Sequence, residues 1–366
     1  MVKFRCERDT LAEAIGTAQR AVAVRSGALP VLSGVQVSAR GDHIELVGSD
    51  LDLTIRVQVP AQVDEEGQAV VPAKLFDGLT TRLKAGAVTF EVDGDDARIS
   101  AGPARAGVRL LPADEFPHVS SPEGVTVTVD AGPLSEALRQ VIPAASRDDA
   151  RPILTGVLVA ATADGVRLVA TDSYRLAVRD LTGVGMLGEG QRVLVGARGL
   201  NEVQRVFPSG EVQVTLGERE VRFASETRSV TTRLIEGEFP NYEQLIPSGY
   251  PNRLTVAREA LEEAARLMQI VGEGREGTPV RLAMSSDGLE LSANAQERAD
   301  AIEAIDAKFE GSDVTVAFNP QFLLDGLQAI EGDEAVLETL DPLKPATLRG
   351  ADHPEFLYLL MPVRIS

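Results

Sequence analysis

Three histidines, His43, His118 and His353, and one cysteine, Cys6, are the only imidazoles and the only thiol in 366 residues. They are too scattered for an HExxH helix, and a single thiol forms neither an internal disulfide nor a cysteine-cluster metal site. No GxSxG elbow and no GxxxxGK[ST] loop occurs. Gly183-Gly185-Gly188 and Gly272-Gly274-Gly277 fit GxGxxG. A dinucleotide site needs those glycines between a strand and a helix; the second set follows a helical pattern, and both precede strand-like runs. Asp50 and Asp172 sit in turns, each a lone carboxylate with no acid or histidine beside it, which suits capping better than acid–base chemistry. The expectation is a protein without catalysis, cofactor or metal.

The polar residues that stand out are instead placed to be met by a partner. RLVATDSYRLAVRD, from Arg167 to Asp180, reads as two apolar strands around a Thr171-Asp172-Ser173 corner that presents Tyr174 and Arg175. FLYLLMPVRIS, from Phe356 to Ser366, is a strand-like run broken at Met361-Pro362. Proline there removes a ladder donor, and an apolar tail leaving a sheet is a suitable wall for a hydrophobic groove, with methionine adapting to varied guests.

The elements that position these stretches recur. PVLSGVQVSARGDHIELVGSDLDLTIR from Pro30 matches PILTGVLVAATADGVRLVATDSYRLAVR from Pro152 at an offset of 122, a third of the chain length. The offset places Gly34-Val35 on Gly156-Val157 and Asp50 on Asp172. TPVRLAMSSDGLELSANAQERADAIE from Thr278 is a third copy. Each copy opens with a strand and an amphipathic helix: Leu11, Ile15, Ala18 and Val22 in the first, Leu134, Leu138, Val141, Ile142 and Ala145 in the second, and Leu261, Ala265 and Met268 in the third. Asp9-Thr10 with Glu13 reads as a capping box. A second helix follows in each copy, PAKLFDGLTTRLK, GARGLNEVQRVF and NPQFLLDGLQAI, and alternating strands close it. Two helices and many strands per copy make an α+β unit, and the Phe-Pro segments at Phe116 and Phe239 predict domains over 1–123, 124–249 and 250–366.

At 44% hydrophobic and 25% charged residues the chain has the balance of a folded protein with ordinary cores. No apolar run is long enough to span a bilayer, and MVKFRCERDT lacks a signal-peptide core, so a cytoplasmic location is expected. The formal net charge is −19. It divides as −5 over residues 1–123, −3 over 124–249 and −11 over 250–366, from 13, 13 and 10 cationic against 18, 16 and 21 acidic residues. An acidic chain is ill suited to tight nucleic-acid binding, since phosphate neutralisation supplies most of that affinity. A DNA role therefore demands a geometric explanation.

ATDSYRLA from Ala170, RLIEGEFPNYEQLIP from Arg233, DPLKPA from Asp341 and YLLMPVR from Tyr358, in this order and with a threefold repeat, resemble the bacterial sliding-clamp family, the β subunits of DNA polymerase III. The resemblance implies three clamp domains per chain and two chains closed head to tail into a six-domain ring. It implies a processivity factor without catalysis that encircles duplex DNA irrespective of sequence. Its partners would be polymerase subunits, a clamp loader and other replication and repair proteins carrying short hydrophobic peptides. Topological retention would let the ring be acidic outside and only modestly positive inside. The alternative is a clamp-fold protein scaffold without a DNA role.

Carried onto this sequence, the partner groove would comprise Leu154, Thr171, Tyr174, Arg175, Leu176, Pro240, Gln244, Leu245, Leu343, Pro345, Leu359, Leu360, Met361, Pro362, Val363 and Arg364, with Phe322 and Arg151 at the rim. Tyr174 stands where the family often has histidine, and Gln244 where a basic residue can occur. DNA-facing candidates are Lys74, Arg82 and Lys84 on one helix, Arg198 and Arg205 on another, Arg139 and Arg266 on opening helices, and Arg25 in a loop. The head-to-tail contact would pair the edge carrying Ala106, Val108 and Leu110 with Ile270 and Val271.

Overall fold

The computed structural model of the chain describes residues 2–23, 29–247, 249–272, 278–295 and 299–364. Each copy of the repeat contributes two α-helices to these residues: α1 (Arg8–Ala18) and α2 (Ala73–Thr80), α3 (Ala131–Val141) and α4 (Ala197–Val206), then α5 (Arg258–Gly272) and α6 (Pro320–Ala329). All strand pairs are antiparallel and build four sheets.

The repeat is visible as physical detail. At Pro30–Ser33 and at Pro152–Thr155 a 3-10 turn is closed by its last hydroxyl, Ser33 Oγ donating to the Pro30 carbonyl at 2.7 Å and Thr155 Oγ1 to that of Pro152 at 2.8 Å. Asp50 Oδ1 accepts from the Leu53 amide at 2.9 Å, and Asp172 Oδ1 from the Arg175 amide at 3.0 Å. The residue after each aspartate holds positive φ, 79° at Leu51 and 80° at Ser173. A side-chain acceptor for the turn amides offsets that unfavourable conformation. Both aspartates are therefore capping groups, as their isolation in sequence suggests.

The chain forms two compact units whose limits do not follow the repeats. One contains the chain to Gly132 with Glu202–Leu234, the other Pro133–Asn201 with the chain from Ile235. In the first unit an eight-stranded sheet runs through Gly67–Pro72, Gly34–Arg40, His43–Ser49 and Leu53–Pro60, and continues into Arg228–Arg233, Glu220–Ala224, Glu211–Leu216 and Val125–Asp130. The seam between first and second repeats is the ladder that sets Val230 opposite Ile55 and Thr231 opposite Thr54. In the second unit a nine-stranded sheet crosses from the second repeat to the third where Arg175–Thr182 pairs with His353–Leu360, setting Leu176 opposite Leu359 and Ala177 opposite Tyr358. A five-stranded sheet ends at Ala104–Arg109 in the first unit, and a four-stranded sheet ends at Ala299–Ile305 in the second.

Strand alternation fills the cores. Along Leu53–Pro60, Ile55, Val57 and Val59 are buried while Arg56 and Gln58 face outward. The predicted helix faces lie inward, with Leu11, Ile15, Leu134, Leu138, Leu261, Ala265 and Met268 all buried. Two local expectations are corrected. Helix α1 starts at Arg8 behind Glu7 and has no side-chain cap; Glu13 reaches instead for Arg228 at 2.7 Å, so the capping box does not form. Helix α2 stops at Thr80, so Arg82 and Lys84 lie beyond it. Thr81 Oγ1 donates to the Asp77 carbonyl at 2.8 Å, and a β-branched Thr-Thr pair whose hydroxyl competes for backbone groups is a weak continuation.

Gly326 in α6 lies directly under the fully buried ring of Tyr358: a Cβ at this position would stand 2.6 Å from Cδ1 and 3.0 Å from Leu348 Cδ2. Gly326→Ala would recover about 1 kcal/mol of helix propensity, but overpacking a ring that cannot retreat costs about 1–3 kcal/mol. The variant should show a lower urea midpoint; a raised midpoint would contradict this packing.

Candidate functional site

All the predicted groove residues fall in the second unit. Their centre is the Thr171–Arg175 turn. Thr171 Oγ1 donates to the Arg175 carbonyl at 2.6 Å and accepts from the Ser173 amide at 3.1 Å. Asp172 uses both oxygens, Oδ1 for the amides of Tyr174 and Arg175 and Oδ2 for Arg175 Nε at 2.9 Å. Arg175, only 9% exposed, also donates from Nη1 to Asp325 and to Tyr358 Oη, the latter at 3.3 Å, and its guanidinium carbon lies 4.3 Å from the Phe322 ring centre. Burial disfavours this guanidinium's charge, but Tyr358 and Asp325 outweigh that and hold it protonated. Burial pushes the Tyr358 phenol well above its usual range, against the pull of Arg175, so it stays neutral.

The turn ties down the tail. After Leu360 the strand ends, but the Met361 amide donates to the Tyr174 carbonyl at 2.9 Å and the Val363 amide to that of Ala317 at 2.7 Å. The tail to Arg364 is therefore held at two further points rather than released at Pro362. Tyr174 stacks on Phe322 with ring centres 6.4 Å apart.

The predicted residues divide into floor and rim. Leu154, Thr171, Arg175, Leu176, Leu359 and Leu360 are buried, with Leu176 and Leu359 packed among Leu158, Val169, Val178, Leu194 and Tyr242. Phe322, Pro345, Pro362 and Val363 are half-buried, and Pro240, Gln244 and Arg364 exposed. Four large apolar side chains remain outside: Tyr174 at 60%, Leu245 at 47%, Leu343 at 64% and Met361 at 40% exposure. Sequence reasoning missed Asp325, Tyr358, Phe239 and Tyr242. The last two form an edge-on pair, ring centres 6.4 Å apart, packed with the floor. Their signal was the aromatic i, i+3 spacing in FPNY; Asp325 carried none, being one acid on an amphipathic helix.

The cationic candidates are placed as follows. Lys74, Arg82, Lys84, Arg198 and Arg205 are exposed. Arg205 pairs with Glu202 at 2.9 Å, and Arg139 and Arg266 pair with Glu136 and Glu262, each at 2.5 Å, all one helical turn away. Arg139 also donates to the Gln328 carbonyl at 2.5 Å. Arg25 lies outside the described residues. Of the edge candidates, Val108 is buried, Ala106, Leu110 and Val271 are half-buried, and Ile270 is 63% exposed.

Arg175 is the only partner in its cluster able to neutralise two carboxylates, so removing it leaves Asp172 and Asp325 facing each other's field. Breaking a buried pair costs about 3–5 kcal/mol. With these aspartates still 13% and 17% exposed, Arg175→Met should fall near the lower end of that range. Urea unfolding at pH 7 measures it, and an unchanged midpoint would show that the cluster carries no stability.

Comparison with known proteins accounts for every repeat. Residues 2–120, 128–241 and 243–364 match the N-terminal, central and C-terminal domains of the DNA polymerase III beta subunit. The beta sliding clamp of Streptomyces coelicolor is 36% identical over 100% of both chains. Among solved structures, the DNA polymerase III beta subunit of Thermotoga maritima superposes with a TM-score of 0.92 at 26% identity, over 100% of both chains. The sliding clamp of Pseudomonas aeruginosa bound to griselimycin does so with a TM-score of 0.90 at 27% identity, again over 100% of both chains. A threefold α+β repeat matched from end to end has one explanation: the chain belongs to the DNA polymerase III beta subunit family, the bacterial sliding clamps.

Proposed function

We propose that this chain is a non-catalytic processivity factor that encircles duplex DNA and tethers a replicative polymerase, a clamp loader and other replication and repair proteins. The observation that carries this reading is the end-to-end match of all three repeats to one family. We take the repeats as domains, 1–123, 124–249 and 250–366. No described helix is long and apolar enough to cross a membrane, and we expect a protein that works on DNA to act in the cytoplasm.

A ring is closed by two copies, head to tail. Ala104–Arg109 ends one sheet with Arg105 and Arg109 exposed; Ala299–Ile305 ends another with Asp300 exposed, Glu303 half-buried and Ile302 66% exposed. Unpaired edges favour pairing between chains, and although Arg109 is already paired with Asp95, Arg105 on one edge has Asp300 and Glu303 as opposite charges on the other. Ala106, Val108 and Leu110 belong to the first edge, and Ile270 and Val271 support the second. Inside the ring, Lys74, Arg82, Lys84, Arg198, Arg205, Arg139, Arg266 and Arg25 would face the phosphates. Three of them share their charge with acids one turn away, which suits loose, sequence-independent contact.

Tyr174, Leu245, Leu343 and Met361 form the accessible rim of the partner groove, over Leu176 and Leu359, with Pro240, Gln244 and Pro345 beside them. A rigid floor and an adaptable methionine fit a short extended peptide with two or three apolar anchors. Each anchor contributes about 1.5–3 kcal/mol before ordering costs, so a single site should bind near micromolar, about −8 kcal/mol. Two grooves per ring let a bivalent partner gain through effective concentration.

Two measurements test the reading. The native mass should be about twice 38.9 kDa, and replacing Ile270 and Val271 with aspartate should give monomers; a double variant still dimeric at nanomolar concentration would place the contact elsewhere. Deleting Met361 to Ser366 should abolish binding of a fluorescent hydrophobic peptide, read by anisotropy, while the dimer persists. Unchanged affinity would mean that partners dock on another face.

A further inference from the structure

Away from the groove, the start of the last strand carries a cluster that sequence spacing does not announce. His353 and Glu355 lie two residues apart on the His353–Leu360 strand, and Glu331 follows α6. One ligand atom from each lies within 4.8 Å of the others. His353 Nδ1 stands 3.1 Å from Glu355 Oε1 and 3.7 Å from Glu331 Oε2. Ligand atoms about 2.0–2.2 Å from a tetrahedral ion stand roughly 3.3–3.6 Å from one another, so the two separations from His353 bracket that spacing, and binding would draw in the two carboxylates, which lie within 4.8 Å of each other.

The surrounding groups hold this arrangement. A Cβ at Gly332 or at Gly350 would come 3.3 Å from the His353 side chain, so the imidazole is backed by two glycines. Glu331 divides its oxygens: Oε1 accepts from Gln140 Nε2 at 3.3 Å and lies 3.8 Å from Arg179, while Oε2 is turned toward His353. Arg179 Nη1 lies 2.9 Å from Glu355 Oε1. Arg179 Nε and Nη1 are nevertheless buried without an acceptor in hydrogen-bonding geometry. Both carboxylates lie near the Arg179 guanidinium as well as the imidazole. Outer donors such as Gln140 and Arg179 are the usual means of orienting ligating carboxylates.

We propose that Glu331, His353 and Glu355 bind one first-row divalent cation of the zinc type, with water completing the coordination, as a structural staple between the end of α6 and the last strand. Imidazole with two carboxylates favours zinc or cobalt over magnesium and calcium, which take all-oxygen sets. The staple has work to do there, because the ladder between Ala346–Gly350 and His353–Leu360 loses register between Leu348 and Gly350. That same strand ends at Leu360, next to Met361.

The test uses the full-length protein freed of metal by chelation. Zinc chloride should bind one equivalent per chain and raise the melting temperature by on the order of 2–4 °C at saturation, while magnesium chloride at equal concentration has no such effect. Cobalt chloride should give the visible absorption bands of a low-coordinate site. His353→Gln and Glu355→Gln should each weaken zinc at least roughly tenfold and remove the cobalt bands. The shift is read against the same variant without metal, so loss of ion pairs alone cannot mimic it. A double variant His43→Gln/His118→Gln should keep both signals. Absence of the zinc shift and cobalt bands in the unaltered protein, or their persistence in Glu355→Gln, would overturn the site.

Discussion

An antiparallel strand at the edge of a sheet presents donors and acceptors that must be paired or guarded, and this chain answers that requirement by running sheets across its repeats. Arg228–Arg233 finds its partner in Leu53–Pro60, and Arg175–Thr182 finds its own in His353–Leu360. No repeat closes on itself. The compact units consequently divide the middle repeat between them, although each repeat keeps its own pair of helices. Free sheet ends remain, among them Ala104–Arg109 and Ala299–Ile305, which we propose pair between two chains.

The second seam also underlies the proposed groove. Pairing Leu176 with Leu359 sets the last strand beside the Thr171–Arg175 turn, and Arg175 then bridges Asp172 from its own turn to Asp325 on α6 and Tyr358 on the last strand. A buried cation shared by three elements fixes their separation, since each acceptor left alone would be costly. Rigidity beneath and exposed apolar side chains above are complementary. In the proposed groove the floor would need no ordering on binding, and the rim would keep enough freedom to accept different guests.

Much of this was legible in the sequence. The 122-residue offset, the inward helix faces and the Asp50 and Asp172 turns follow from periodicity and turn chemistry, which are local. Tyr174, Met361 and the tail follow from motifs. What was not legible depends on contacts distant in sequence: Asp325 and Tyr358 enter through a cross-repeat ladder, and Glu331 meets His353 only because α6 ends beside the last strand. Local competition also misled. Thr80 and Thr81 end α2 before Arg82, and Glu13 prefers Arg228, 215 residues away, to the start of its own helix.

The net charge of −19 is compatible with a DNA-bound protein only if topology rather than attraction retains the duplex. Attraction alone loses affinity with salt in proportion to the phosphates neutralised, with a logarithmic slope of about −0.9 per contact. A closed ring around a closed circle has no such route of escape. The direct measurement is the half-life of the loaded protein on circular DNA in high salt, before and after a single cut linearises the circle. Persistence on the circle with rapid loss on cutting is the predicted result; equal loss from both forms would contradict encirclement.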